Sequence, residues 1–171
     1  MRYFINIIFN GYNYYGWQKQ NNKNTIENIL EKKIKYILKK KIKIITCSRT
    51  DKLVNSFSLY AHFDIDSYIK NKNIFLKKIN NFLPVYIQIK NIFLVKSNIH
   101  ARYSVLSRTY LYIINFIKNP FLYKKSFFLK KNINYYKLML ITKIIKNIKD
   151  FKNFTNKKNI KNTICNIYDI K

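Results

Sequence analysis

An α+β fold, with an antiparallel sheet and helices on one of its faces, is what this sequence predicts. Three observations lead there. Apolar residues recur at two spacings, every second residue in some segments and every third or fourth in others. Over residues 2–95 these segments follow the order strand, helix, strand, strand, helix, strand, with short connections. The 171 residues are 48% hydrophobic and 17% aromatic, enough for the core of one domain or two small ones.

Residues 2–9 read as a buried strand by their length and β-branched content. Residues 10–17 hold both glycines of the chain and read as a turn or loop. Asn24 followed by Glu27 predicts a capping-box start. Ile26, Ile29, Leu30, Ile34, Ile37 and Leu38 then recur at helical spacing to about Lys40. Ile42, Ile44 and Thr46 alternate with Lys43 and Ile45 in a second strand, and Phe57 to Asp64 make a third. Tyr68 to Phe82 have helical spacing and stop before Pro84, because a residue preceding proline is pushed out of the helical region. Val85 to Val95 alternate as a fourth strand. This order is the split β-α-β, or ferredoxin-like, arrangement. Arg108 to Ile117 then predict a strand and Tyr135 to Ile148 a helix, the opening of a second such unit left incomplete at Lys171. The Lys/Asn-rich stretch 152–162 reads as a linker or solvated loop. The expected domains are 1–98 and 99–171.

The net charge is +27, from 34 Lys and Arg against 7 Asp and Glu, and such an excess seeks polyanions. Composition weakens that inference. Lys, Ile, Asn, Tyr and Phe together make up 112 of the residues, and all are written with A/T-rich codons. The same bias makes the rare types informative. Gly, Ala, His, Trp and Arg number only eleven, and ten of them fall in the windows 11–17, 49–62 and 100–110. Two cysteines, Cys47 and Cys165, exclude a disulfide-dense scaffold and a four-cysteine zinc site. His62 and His100 match no zinc spacing, so no metal is expected, and two glycines make no phosphate-loop or dinucleotide fingerprint. No apolar run approaches the ~18 residues of a membrane span, and no secretory signal is expected. A cytoplasmic protein without membrane contact follows as the expectation.

Each window carries two readings. The glycines, aromatics and amides of residues 10–20 suit stacking on bases and contact with phosphates, or make an ordinary aromatic-rich loop. In Ser48-Arg49-Thr50-Asp51, the arginine would hold the aspartate ionised, as a nucleophile or base, or as one half of a structural ion pair. His100 to Tyr112 offers two arginines and three tyrosines to grip a phosphate and stack a base, or a strand whose aromatics face a core.

Taken in order, the windows resemble the bacterial tRNA pseudouridine synthase A family. That family's Y-D-G-x-x-Y-x-G-W-Q-x-Q segment stands here from Asn10 to Gln20, and its following T-V/I-Q/E as Thr25-Ile26-Glu27. Its G-R-T-D-x-G-V-H-A stands as Ser48 to Ser56. A-H-F-D is intact at Ala61 to Asp64, and L-P at Leu83-Pro84. F-H-A-R-F/Y-S-x-x-x-R-x-Y-x-Y runs from Ile99 to Tyr112, and D-F-x-x-F is met by Asp150, Phe151 and Phe154. The resemblance implies two ferredoxin-like domains, a homodimer and no cofactor. It also implies isomerisation of uridine to pseudouridine in the tRNA anticodon stem-loop, at nucleotides 38 to 40 in tRNA numbering. By the same resemblance Asp51 is the catalytic aspartate, Tyr110 stacks on the uracil and Arg49 helps hold the flipped-out nucleotide. The chemistry suits these types: a carboxylate acts as nucleophile or base while a base-flipping pocket with an aromatic platform holds the target.

The chain departs from the family pattern within the aspartate segment. Ser48 and Leu53 replace glycines and Asn55 replaces the histidine. A turn with positive φ at 53 costs roughly 1–2 kcal/mol with leucine. The family's later segment, with a basic partner for the aspartate and apolar pocket residues, is expected to be missing here. The alternative function is therefore a catalytically weak or inactive member that only binds tRNA. A basic ribosomal-type binding protein leaves the Arg-Thr-Asp segment unexplained.

Overall fold

Strand β1 (Arg2–Phe9) sits inside a four-stranded antiparallel sheet, and everything that positions the site hangs from it. The computed structural model describes residues 1–155 and 162–171. Two compact units divide the chain, Met1–Leu111 and Tyr112–Lys171.

In the first unit β1 is followed by helix α1 (Ile26–Leu38), strands β2 (Ile45–Thr46) and β3 (Ser56–Asp64), helix α2 (Lys72–Phe82) and strand β4 (Ile87–Val95). The sheet order is β2-β3-β1-β4. Tyr3, Ile5, Ile7 and Phe9 of β1 and Leu59, Ala61 and Phe63 of β3 are buried in one cluster with Ile26, Leu30 and Ile34 of α1 and Phe75 and Ile79 of α2. Alternation sends those strand residues to one face, as the two-residue period of a strand requires. In β4 the phase changes. A register shift against Asn6 and Ile7 lets Ile92 join Ile87 and Ile89 in the core although their parities differ.

Three element boundaries differ from the sequence expectation, each for a local reason. Helix α1 has no capping box: Thr25 is its N-cap, with no side-chain capping bond, and the Glu27 carboxylate instead accepts from the Lys19 amide at 2.6 Å. The first-turn amides are satisfied by the preceding loop, Ile26 donating to the Gly16 carbonyl and Glu27 to that of Trp17. Strand β2 is shorter than 42–46, because the Ile44 amide donates to the Glu31 side chain at 3.1 Å rather than to a neighbouring strand. Helix α2 starts at Lys72, where Asn71 caps it through the Ile74 amide. The Ile69 amide is engaged by the Tyr3 hydroxyl at 3.0 Å.

The second unit pairs β5 (Ile114–Asn115) with β6 (Phe127–Phe128), parallel, and adds helix α3 (Tyr135–Asn147). The strand expected over 108–117 is reduced to β5. A strand exists by virtue of its partner, and residues 105–113 belong to no ladder among the described residues. Asp150 accepts from the Thr163 hydroxyl and forms an isolated bridge with Ile164, while Phe151 and Phe154 pack 5.6 Å apart. Of the stretch expected as a linker, Lys152–Phe154 form a 3-10 turn, and 156–161 lie outside the described residues. No helix among the described residues is long and apolar enough to cross a membrane.

Candidate active site

The connection from β2 to β3 carries Arg49 and Asp51, both exposed. It bends at residues 51–54, where the Val54 amide donates to the Asp51 carbonyl at 3.3 Å. Leu53 adopts φ +70, so the left-handed turn expected of a glycine is made here by leucine, at the cost that a Cβ imposes. No ion pair joins Arg49 to Asp51 among the described residues, against the reading of the two as a structural ion pair. The Arg49 charge acts on Glu27. Burial raises the Glu27 carboxyl above the ordinary carboxylate range, and the bond from the Lys19 amide and the charge of Arg49 draw it back.

Both glycines serve this loop by close approach. A Cβ on Gly11 would lie 2.0 Å from the Val54 carbonyl oxygen, and one on Gly16 would lie 2.5 Å from that of Thr50. Gly16 also has φ +80. The Gly11 amide donates to Asn55 Oδ1 at 2.8 Å and the Trp17 amide to the Thr50 carbonyl at 2.9 Å. Loop 10–17 is thus clasped along the aspartate loop on both sides of Asp51. Trp17 and Tyr14 are 1% and 3% exposed, so these two aromatics pack in the core and are not free to stack on bases. Trp17 faces Phe9 instead, ring centroids 6.3 Å apart. Tyr12 and Tyr15 remain exposed.

The third window returns to the same sheet. Arg108 donates from Nη2 and Nε to the Cys47 carbonyl, at 2.7 and 3.2 Å, which ties its segment to the start of the aspartate loop. Tyr110, two residues on, is 67% exposed and lies in no regular element. On the sheet face opposite the helices, His62 is buried beside Phe4, and its Nδ1 accepts from the Ala101 amide at 3.1 Å. The His100 ring meets it edge to face at 4.7 Å. Burial, then the charges of Arg2 and His100, push the His62 imidazole down to about 4. Its Nε2 is shut in without a partner among the described residues, so the neutral ring is the one that fits. Arg2 closes the group: it pairs with Asp64 at 2.8 Å and donates to the carbonyls of Ser97 and Ile99. Among the described residues no cluster of three His, Cys, Asp or Glu side chains could hold a metal.

All three windows therefore meet on one framework, in which Arg49 and Asp51 share a loop and Arg108 fastens the Tyr110 segment to it. The clasp through Asn55 and the contact between His62 and His100 carry no signal in local spacing. Only the rarity of glycine and histidine in this composition marks those windows, and asparagine is too common to mark Asn55.

No protein-family model matches the chain. Among curated proteins it is 32% identical to the tRNA pseudouridine synthase A of Aquifex aeolicus over 171 residues, covering 99% of this chain and 70% of that protein. It is 36% identical over 133 residues to the protein of the same name from Azobacteroides pseudotrichonymphae, covering 78% of this chain and 53% of the relative. With that of Prochlorococcus marinus it shares 38% over 117 residues, 68% of this chain and 43% of the relative. The chain belongs to the tRNA pseudouridine synthase A family. It spans about half the length of most of the curated relatives it matches.

Proposed function

We propose that this chain acts on tRNA as a pseudouridine synthase, isomerising uridine to pseudouridine in the anticodon stem-loop. Asp51 is the catalytic carboxylate, Arg49 holds the extruded nucleotide and Tyr110 is the platform on which the uracil stacks. The observation that carries this reading is the aspartate loop itself: an exposed carboxylate on a backbone clasped by Gly11 and Gly16, in a chain of this family. The reaction breaks an N–C glycosidic bond and remakes it as C–C to the same base. A carboxylate contributes as nucleophile or base, and a rigid loop keeps it in place while the target leaves its stack. The exposed ring of Tyr110 and the guanidinium of Arg108 suit single-stranded RNA, which offers bases for stacking and phosphates for cations.

The same reading takes residues 1–98 as a ferredoxin-like domain and 99–171 as the beginning of a second. The observed element order and the sheet order β2-β3-β1-β4 support the first. It places the protein in the cytoplasm, where its substrate is, as a homodimer that light scattering would detect.

The test is pseudouridine formation by the purified chain on an anticodon stem-loop RNA. Asp51→Asn abolishes turnover and leaves RNA affinity nearly unchanged, because the amide keeps size and most hydrogen bonds but is neither nucleophile nor base. Tyr110→Phe costs less than Asp51→Asn if stacking is the role of the ring. Full turnover in Asp51→Asn overturns the site, and RNA binding without turnover in the unaltered chain selects the binding-only alternative.

A further inference from the structure

Several described lysines lie over tyrosine rings, and among the described residues Lys23 and Lys52 are the two that share one ring. Lys23 Nζ lies 5.1 Å from the centroid of the Tyr15 ring, and Lys52 Nζ lies 4.6 Å from the same centroid. The three residues come from three stretches of chain: the loop after β1, the turn before α1 and the loop of Asp51. Backbone bonds fasten these stretches together at this point. The Tyr15 amide donates to the Asn24 carbonyl and the Trp17 amide to that of Thr50, each at 2.9 Å. Gln20 Nε2 donates to the Tyr15 carbonyl at 3.2 Å. Between Tyr15 and Trp17, the missing side chain of Gly16 lets the backbone lie against Thr50 and Asp51.

Two ammonium groups drawn to one exposed ring repel each other, and each gains only about 0.5–1 kcal/mol from the ring at such a site. Among the described residues neither has a carboxylate partner. An anion with several oxygens relieves that repulsion, and Lys52 adjoins Asp51 in the chain.

We propose that Lys23 and Lys52, oriented by Tyr15, form a binding site for backbone phosphates of the RNA strand that presents its nucleotide to Asp51. This rests on the RNA substrate proposed above. It separates two lysines with a binding role from the many that follow from composition.

The experiment measures the affinity of an anticodon stem-loop RNA against salt concentration, with Asp51→Asn protein to prevent turnover. Lys23→Gln/Lys52→Gln is compared with Lys77→Gln/Lys78→Gln, which removes the same charge from exposed positions of α2. Each lost phosphate contact lowers the slope of log K on log salt by about 0.7–0.9, so the first pair lowers it by about 1.5 and the second by less than half of that. Tyr15→Phe, which keeps the ring, leaves the slope in place, and Tyr15→Leu lowers it. Lys52→Gln alone, expected to lower it by about 0.8, repeats the test should the double variant fail to fold. Equal slopes for the two double variants overturn the site while leaving the proposed function standing. Absence of stem-loop binding by the Asp51→Asn protein itself overturns both.

Discussion

Helices α1 and α3 are each 13 residues long, and both are rich in Ile and Leu. In α1, Ile26, Leu30 and Ile34 are wholly buried, while α3 buries nothing: Met139, Leu140, Ile141 and Ile144 are 42–62% exposed. The contrast extends to the units that hold them. The first packs its helices with a four-stranded sheet, whereas the described residues of the second form a sheet of two strands of two residues each. No described residue from Tyr112 onward is buried. Helical stability in proteins comes mostly from packing an apolar face, so equal periodicity gives unequal helices when only one has a surface to pack on.

The largest effect expected from that difference is on core truncation. Ile34→Ala should destabilise the first unit by about 2–5 kcal/mol in urea unfolding, the range for deleting a packed aliphatic side chain. Gly16→Ala comes next. It adds a Cβ at positive φ against the Thr50 carbonyl, at a cost of about 2–3 kcal/mol, and it should reduce turnover more than RNA affinity because it shifts the backbone at Asp51.

Acid tests the same unit from its other face. The folded-state pKa of His62, about 4, lies below its ordinary value of 6.5, so the unfolded chain binds the proton first. Stability should therefore be full above pH 6.5 and fall by about 2 kcal/mol as the pH drops towards 4. Asp64, held down first by its hydrogen bond from Arg2, adds a loss at lower pH still, as it becomes protonated. His62→Phe should flatten the upper part of this profile in unfolding curves taken from pH 7 to 4.

Leu53→Gly works in the opposite direction. It relieves a left-handed leucine that is 47% exposed, and should stabilise the first unit by up to about 1 kcal/mol, since glycine regains part of its freedom on unfolding. The smallest effect belongs to α3. Ile144→Ala should change stability by less than about 0.5 kcal/mol, as expected of a surface position. Hydrogen exchange gives a second check, with α3 amides exchanging faster than those of α1. A loss at Ile144 as large as that at Ile34 would show that α3 is packed in solution and remove the contrast between the helices.

Much of the first unit was legible because its elements are local and periodic. Residues 2–9, the Ile26–Leu38 stripe and the stop before Pro84 state their conformation within a few positions, and the order of the elements restricted the sheet that could form. The capping box at Asn24 and the strand over 108–117 were misread for one reason. Local pattern records what a segment favours, whereas a cap or a ladder depends on which partner arrives: Gly16 and Trp17 supply acceptors at α1, and among the described residues no strand forms a ladder with residues 105–113. The site divides in the same way. The sequence on its own marked Arg49, Asp51 and Tyr110 through their motifs, and marked three windows through residue types scarce in this composition. Tertiary structure alone decided that Gly11 and Gly16 serve close backbone approach, that Trp17 and Tyr14 belong to the core, and that Leu53 takes the left-handed turn. It also decided that Lys23 and Lys52 share the ring of Tyr15. Those contacts join residues that are distant in the chain. Their geometry is set by packing and backbone hydrogen bonds, which have no period for a sequence to display.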